Sequence, residues 1–108
     1  MELIETSTFT KQVTALLSDQ EYGEFQSRLV ANPGLGPLIK GGGGIRKIRL
    51  AVGSRGKRGG ARVMYYWAVR RDLILLLYVY PKNVSADLTL KQVAQLAKAV
   101  KEEFRDES

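Results

Sequence analysis

The chain has 108 residues, 44% hydrophobic and 26% charged, which is enough for one globular domain spanning 1–108 and too little for a second. It contains no cysteine and no histidine, so disulfides, the usual zinc sites and histidine-activated nucleophiles are excluded, and we expect neither a metal nor another cofactor. Its 17 Lys and Arg outnumber its 11 Asp and Glu, and the net charge of +6 favours an acidic partner.

Neither the first residues nor the longest apolar run of the sequence predicts export or a membrane-spanning segment. The first residues, Met1 to Glu5, lack the basic and apolar segments of a signal peptide. The longest apolar run, Leu73 to Val79, has seven residues and is too short to span a bilayer. We therefore expect a cytoplasmic protein without a membrane partner.

The first part of the chain predicts a short strand and two helices. Leu3 to Thr6 is the strand candidate, and Ser7 or Thr8 is the expected N-cap of the first helix. Ser18 to Glu21 has the spacing of a capping box, so a second helix should run from there to about Ala31. The following loop contains Gly41 to Gly44, which we interpret as a permissive backbone before the next strand.

The middle of the chain predicts a hairpin. From Ile45 the pattern alternates, so that Lys47 and Arg49 point away from the face of Ile48. The segment from Arg62 to Val69 is rich in β-branched and aromatic residues and is the expected second strand.

The last part of the chain predicts a buried strand and a helix. Leu73 to Tyr80 is apolar at both parities, as expected for a central strand covered on both faces. Thr89 to Gln92 fits a second capping box that begins the last helix. The order β-α-α-β-β-β-α predicts an α+β fold in which helices pack on an antiparallel sheet of three to four strands.

Charge is segregated along this chain. The stretch from Phe25 to Arg71 contains no Asp or Glu, so the remainder is net acidic. A field of one sign attracts polyanions, and nucleic acid is the leading partner class. The stretch contains eleven cations: Arg28, Lys40, Arg46, Lys47, Arg49, Arg55, Lys57, Arg58, Arg62, Arg70 and Arg71.

Three of these cations are candidates for chemistry. Lys47 and Arg49 share one strand face, and Arg62 opens the neighbouring strand. Metal-free RNA cleavage needs a base for the ribose 2′-hydroxyl, a cation for the phosphorane and an acid for the leaving 5′-oxygen. Lysine can exchange a proton, whereas arginine stays charged and binds phosphate bidentately. The alternative is a solvated cationic strand face.

Two further features fit RNA binding, each with a simpler alternative. Arg55, Lys57 and Arg58 lie in a glycine-rich connection that can grip backbone phosphates or be only a soluble hairpin tip. Tyr80, at the end of the apolar strand, is our candidate for stacking on a splayed base, and the alternative places it in the core.

Three segments together resemble the RelE/ParE superfamily of bacterial toxins, and most closely its HigB branch. The segments are Ile45-Arg-Lys-Ile-Arg-Leu50, Gly59-Gly-Ala-Arg-Val-Met-Tyr-Tyr66 and Tyr78-Val-Tyr-Pro-Lys-Asn83, the last followed by Asp87-Leu-Thr89. The resemblance implies a ribosome-dependent, metal-independent mRNA endonuclease toxin that inhibits translation and growth. It also implies a cognate antitoxin, which we expect to be an adjacently encoded helix-turn-helix protein that alone contacts operator DNA.

By position, the resemblance assigns Lys47 and Arg49 to the family's basic pair and Arg62 to the arginine that stabilises the transition state. Lys82 falls near a further cation, and we count Arg46 and Asn83 with the loop cations as RNA or ribosome contacts. Asn83 replaces an arginine of RelE, however, and Thr89 replaces its catalytic tyrosine. Tyr80 or Lys57 is then the expected substitute, unless positioning by the ribosome supplies more of the rate.

Two alternatives to the endonuclease remain. A toxin of the same fold can act as ParE does, inhibiting DNA gyrase without cutting RNA. The third possibility is a ribosome-binding or RNA-binding module without toxicity.

Overall fold

The computed structural model describes residues 1–51, 60–81 and 89–104. The predicted α+β class and order of elements are confirmed. None of the described helices is long and apolar enough to cross a membrane. In chain order the elements are β1 (Glu2–Glu5), α1 (Ser7–Leu16), α2 (Asp19–Ala31), β2 (Ile45–Leu50), β3 (Ala61–Ala68), a 3-10 turn (Val69–Arg71), β4 (Leu73–Pro81) and α3 (Leu90–Glu103).

The sheet has four strands in the order β1-β4-β3-β2. β2 pairs antiparallel with β3, and β3 with β4, as predicted. β1, however, runs parallel to β4, so the sheet is mixed rather than antiparallel. Hydrophobic alternation reports which face of a strand is buried but carries no information on strand direction, which explains the difference. β4 lies between β1 and β3, and its predicted central position is confirmed.

The two faces of the sheet are covered by different helices. On the α1/α2 face, the two N-terminal helices pack on alternate residues of the strands, and on the α3 face the last helix does so. The α1/α2 core includes Phe9, Val13, Phe25, Leu29, Ile48, Val63, Leu76 and Val79. The α3 core includes Ile45, Met64, Leu73, Leu77, Tyr80, Val100 and Phe104.

Both predicted capping boxes are present, and the first cap differs from prediction. Ser18 and Glu21 exchange side-chain to backbone hydrogen bonds at the start of α2, and Thr89 and Gln92 do so at α3. The N-cap of α1 is Thr6, whose hydroxyl accepts from Phe9 N at 3.0 Å and donates to Leu77 O at 2.9 Å. The bond to β4 is a tertiary contact, so local spacing could not choose Thr6.

Two contacts hold β2 in place. Its outer edge is covered by 37–39, because Lys47 N donates to Pro37 O at 3.0 Å and Ile39 N donates to Ile45 O at 2.9 Å. At the entry to β3, Gly60 has φ of 58°, and a Cβ there would lie 1.9 Å from Leu50 O. Glycine is therefore required where β3 joins β2.

Candidate functional site

The register of the sheet brings the predicted cations together on the α3 face. Arg49 of β2 lies directly opposite Arg62 of β3, and Arg62 lies opposite Tyr80 of β4. In the next row, Lys47 lies opposite Met64. Cross-strand partners point to the same face of a sheet. Four predicted site residues therefore share the α3 face: Lys47, Arg49, Arg62 and Tyr80.

Arg62 is the unusual member of this group. Its side chain is only 7% exposed, whereas Arg49 is exposed and Lys47 is half-buried. Its Nη1 is buried and has no hydrogen-bond acceptor among the residues that the structure describes. A buried guanidinium nitrogen that lacks an acceptor, on an arginine directly opposite a second arginine, is costly unless an anion completes the site. The arrangement therefore has the electrostatics of an anion-binding position.

Tyr80 does not have the exposure that base stacking requires. Its side chain is 4% exposed, within the α3 core, and its ring centroid is 5.6 Å from that of Tyr78 at an angle of 41°. The core alternative describes its ring correctly, because β4 is covered by α3 on this face. A role for Tyr80 in the chemistry, next to Arg62, stays a prediction.

Arg46 lies apart from the other cations, on the α1/α2 face. Its Nη1 donates to Gly34 O at 3.3 Å and to Gly36 O at 2.8 Å. The hydroxyl of Tyr65, its cross-strand neighbour, donates to Pro33 O at 2.8 Å and accepts from Gly36 N at 2.9 Å. Arg46 and Tyr65 therefore hold the loop that covers the edge of β2.

Burial raises the pKa of Tyr65 above its ordinary value, and the hydrogen bond from Gly36 and the charge of Arg46 oppose that shift. The phenol consequently stays protonated over the physiological range and keeps donating to Pro33. This loop clamp is structural. Strand alternation puts Arg46 on the opposite face from Lys47, but the bonds of Arg46 to the loop are tertiary contacts that spacing does not report.

Several predicted site residues lie outside the described residues. They are the loop cations and the pair after β4: Arg55, Lys57, Arg58, Lys82 and Asn83. Thr89 is described, and its hydroxyl accepts from Gln92 N at 3.1 Å. The residue at the position of the family's tyrosine is thus the N-cap of α3.

The sequence analysis did not single out the cations of the last helix. Lys98 and Lys101 lie on the side of α3 that faces Tyr66 of β3. Their spacing of three residues puts them on one side of a helix, and that spacing was a signal that could have found them.

Solved structures of related fold were found for this chain. An intact E. coli RelBE toxin–antitoxin complex contains a chain that matches with a TM-score of 0.59 at 17% identity, covering 74% of this chain and 94% of that one. A mutant of E. coli toxin RelE in the free state matches with a TM-score of 0.58 at 17% identity, covering 87% of this chain and 93% of that one. At this identity the matches establish the fold.

The family model that matches this chain, together with the shared fold, identifies a toxin of the RelE/ParE superfamily. A model of the family described as the RelE toxin of the RelE / RelB toxin-antitoxin system matches residues 38–107. The chain belongs to the RelE toxin family, and its class is the toxin of a toxin–antitoxin system.

Proposed function

We propose that this toxin cleaves mRNA on the ribosome, without a metal, and so inhibits translation and growth. The observation that carries the proposal is the row formed by Arg49 and the buried Arg62, whose Nη1 has no acceptor in the described part of the chain. Lys47 lies one row away on the same face. Such a site fits the crowded negative charge of a phosphorane better than it fits a neutral ligand.

The proposed reaction moves one proton at each end of a phosphoryl transfer. The 2′-oxygen attacks the adjacent phosphorus while the Lys47 side chain takes the 2′-hydroxyl proton. The bond from phosphorus to the 5′-oxygen breaks, and that oxygen takes a proton from Tyr80, Lys57 or Lys82. The products are a 2′,3′-cyclic phosphate and a 5′-hydroxyl, with no co-reactant consumed.

The arginines supply charge rather than protons. Arg62 stabilises the equatorial oxygens of the phosphorane, and Arg49 holds the substrate phosphate. Outside the reaction centre, Arg55, Lys57 and Arg58 grip the ribosomal or messenger backbone with Asn83.

The proposed partners follow from the same class of protein. They are the ribosome with its mRNA and a cognate antitoxin, expected to be a helix-turn-helix protein encoded beside this toxin. The E. coli relative was crystallised in a complex with its antitoxin, which supports the antitoxin partner in this proposal. Placement in the HigB branch and action in the cytoplasm are also parts of the proposal.

Substitution of Arg62 tests the proposal in cells. We expect Arg62→Ala to abolish growth inhibition on induction, because the phosphorane then lacks its nearest buried cation. Arg62→Met is the variant that keeps side-chain volume, and we expect it to be non-toxic but at least as resistant to thermal unfolding as the native chain, since no described acceptor is lost and a buried charge is removed. Arg28→Ala, on α2, is the control and should remain toxic.

Mapping of RNA 5′ ends after brief induction distinguishes the endonuclease from its alternatives. New 5′-hydroxyl ends within translated codons, absent with Arg62→Met, are the expected result. DNA damage without RNA cuts would instead identify a gyrase inhibitor. Unimpaired growth on induction of the native chain would show that it is a non-toxic RNA-binding module.

A further inference from the structure

A groove runs between α3 and the turn that precedes β2, and the proposed reaction does not use it. Its volume is about 600 Å³, and we call it the α3 groove. The rings of Tyr66 and Phe104, stacked at a centroid distance of 5.3 Å and an angle of 27°, form its apolar floor. The lining residues used in the argument are Gly43, Tyr66, Ala94, Lys98, Lys101 and Phe104.

Glycines keep the groove open on the side of β2. A Cβ at Gly44, where φ is 103°, would lie 2.9 Å from the Tyr66 ring, and one at Gly43, where φ is 63°, would lie 3.6 Å from the Cβ of Ala97. Both positions therefore favour glycine. The glycine run that the sequence analysis explained by backbone freedom thus also shapes this groove.

The charge of the groove has one sign. Lys98 and Lys101 are exposed at its rim, and no described residue that lines it is acidic. At its far end, the guanidinium of Arg71 lies 5.2 Å from the centroid of the Phe104 ring. An apolar floor with a cationic rim suits a ligand that combines planar apolar groups with negative charge.

The groove continues into the row of cations. Tyr66 lies opposite Ile45, and two residues further along β2 on the same face is Lys47, followed by Arg49. Successive residues on one face of a strand are about 6.7 Å apart, roughly the reach of one extended nucleotide. The groove, Lys47 and the Arg49–Arg62 pair therefore lie in order along one surface, with the spacing of a polymer of phosphates.

We propose that the α3 groove holds the single-stranded RNA next to the cleaved phosphate, with Lys98 and Lys101 on its backbone and a base against the half-buried ring of Tyr66. This inference rests on the proposed function, because it uses Lys47 and Arg62 as the reaction centre. The same surface could attract an acidic protein segment, but continuity with the anion position favours RNA.

The test measures binding of uncleavable RNA to the full chain. The probes are fluorescein-labelled 2′-O-methyl oligonucleotides of three and seven residues, followed by fluorescence polarisation. We expect Lys98→Ala with Lys101→Ala to weaken binding of the seven-residue probe on the order of tenfold at low salt, and to change that of the three-residue probe far less. The slope of log K against log salt should fall by about 1.4, for two lost phosphate contacts.

Matched variants separate this site from general charge. Lys11→Ala with Arg28→Ala removes the same charge from the α1/α2 side and should leave the slope for the longer probe unchanged. Ala94→Glu puts a carboxylate in the groove and should weaken binding, whereas Ala99→Glu, on the opposite side of α3, should not. The four substituted positions are all exposed, so we expect the variants to fold like the native chain, and circular dichroism checks this: Lys11, Arg28, Ala94 and Ala99.

The proposal is overturned if both double variants weaken binding equally, or if the groove variants bind both probes like the native chain. Labelled poly-glutamate serves as a second probe that represents an acidic protein. The proposal is also overturned if the groove variants lose binding of poly-glutamate but not of RNA, which would assign the groove to a protein partner. Cleavage of ribosome-bound mRNA is measured separately. If the native chain cuts mRNA but RNA binding does not depend on Lys98 and Lys101, this inference alone is contradicted. A chain that does not cut but shows the expected slopes contradicts the proposed nuclease alone.

Discussion

Arg62 is a buried cation that faces another cation, an arrangement that opposes folding rather than assisting it. Its side chain is 7% exposed and Arg49 is its cross-strand neighbour. Like charges directly opposite each other destabilise a sheet, and a buried donor without an acceptor adds to the cost. Residues that cost stability in this way are typical of functional sites, which is why Arg62 is the centre of the proposed reaction.

Tyr65 is the residue whose loss should affect stability most clearly without touching that site. Its hydroxyl bonds to Pro33 O and Gly36 N, and its side chain is fully buried. We expect Tyr65→Phe to lower the free energy of unfolding by about 1–3 kcal/mol, because the buried amide of Gly36 loses its acceptor. Urea denaturation measures the change.

Tyr66→Phe is the matched control for that prediction. Tyr66 is the next residue of β3, on the α3 face, and its hydroxyl has no hydrogen bond within the described residues. Removing the hydroxyl should therefore change the midpoint little. Equal effects of the two substitutions would contradict the structural role given to Tyr65.

At the scale of elements, the starts of α2 and α3 follow from local rules, whereas the start of α1 and the strand pairing do not. Both capping boxes begin helices where their spacing predicts, because a cap satisfies amides within one turn of itself. The apolar run from Leu73 predicts a central strand for an equally simple reason: such a strand must be covered on both faces. The parallel pairing of β1 with β4 depends on the path of α1 and α2 across the sheet, which no local signal reports.

Replacement of two glycines by alanine should change the free energy of unfolding in opposite directions. Gly23 lies within α2, and a Cβ there would meet nothing within 4 Å. Gly23→Ala should raise the free energy of unfolding by about 0.5–1 kcal/mol through helix propensity. Gly60→Ala should lower it by more than that, because its Cβ would overlap Leu50 O and its φ is positive.

Thermal unfolding of both glycine variants by circular dichroism gives the signs directly. Stabilisation by Gly60→Ala would show that the junction between β2 and β3 is not as close as the structure places it. Destabilisation by Gly23→Ala would contradict the open surroundings described for α2.

At the scale of the whole molecule, the two faces of the sheet differ in their content, and we call the α1/α2 face the scaffold side. The α1/α2 face contains the larger core and the loop clamp, and the α3 face contains the cations of the proposed reaction centre and the α3 groove. A cationic surface on one side raises the encounter rate with polyanions, of which RNA is the proposed one. Because the surface is exposed at its rim, this effect declines with salt. Substitutions on the scaffold side should leave the salt dependence of RNA binding unchanged.

Global stability should respond to alkaline pH through the scaffold. Tyr22 of α2 donates to the Glu5 carboxylate of β1, and burial, that hydrogen bond and the charge of Glu5 raise its pKa well above the ordinary 10.0. The folded chain thus keeps a proton that the unfolded chain loses. Stability is fully present below pH 10 and should decline as the pH rises above it.

Urea unfolding of the native chain and of Tyr22→Phe at pH 8 and pH 11 checks this sign. The native chain should lose more stability over that interval than the variant, which keeps the raised pKa of Tyr65 but lacks that of Tyr22. An equal loss in the two proteins would mean that Tyr22 titrates alike in the folded and unfolded states.

The sequence by itself determined the features that depend on neighbours in the chain: the helix starts at Ser18 and Thr89, the shared face of Lys47 and Arg49, the segregated charge and the motifs that resemble the toxin superfamily. Periodicity and capping act within a few residues, so they can be read without a structure. Only the tertiary structure decided that β1 runs parallel, that Arg46 clamps a loop, that Tyr80 is buried and that Arg62 faces Arg49. Those outcomes depend on which distant segments cover each face of the sheet, and side-chain type and spacing do not encode that coverage locally.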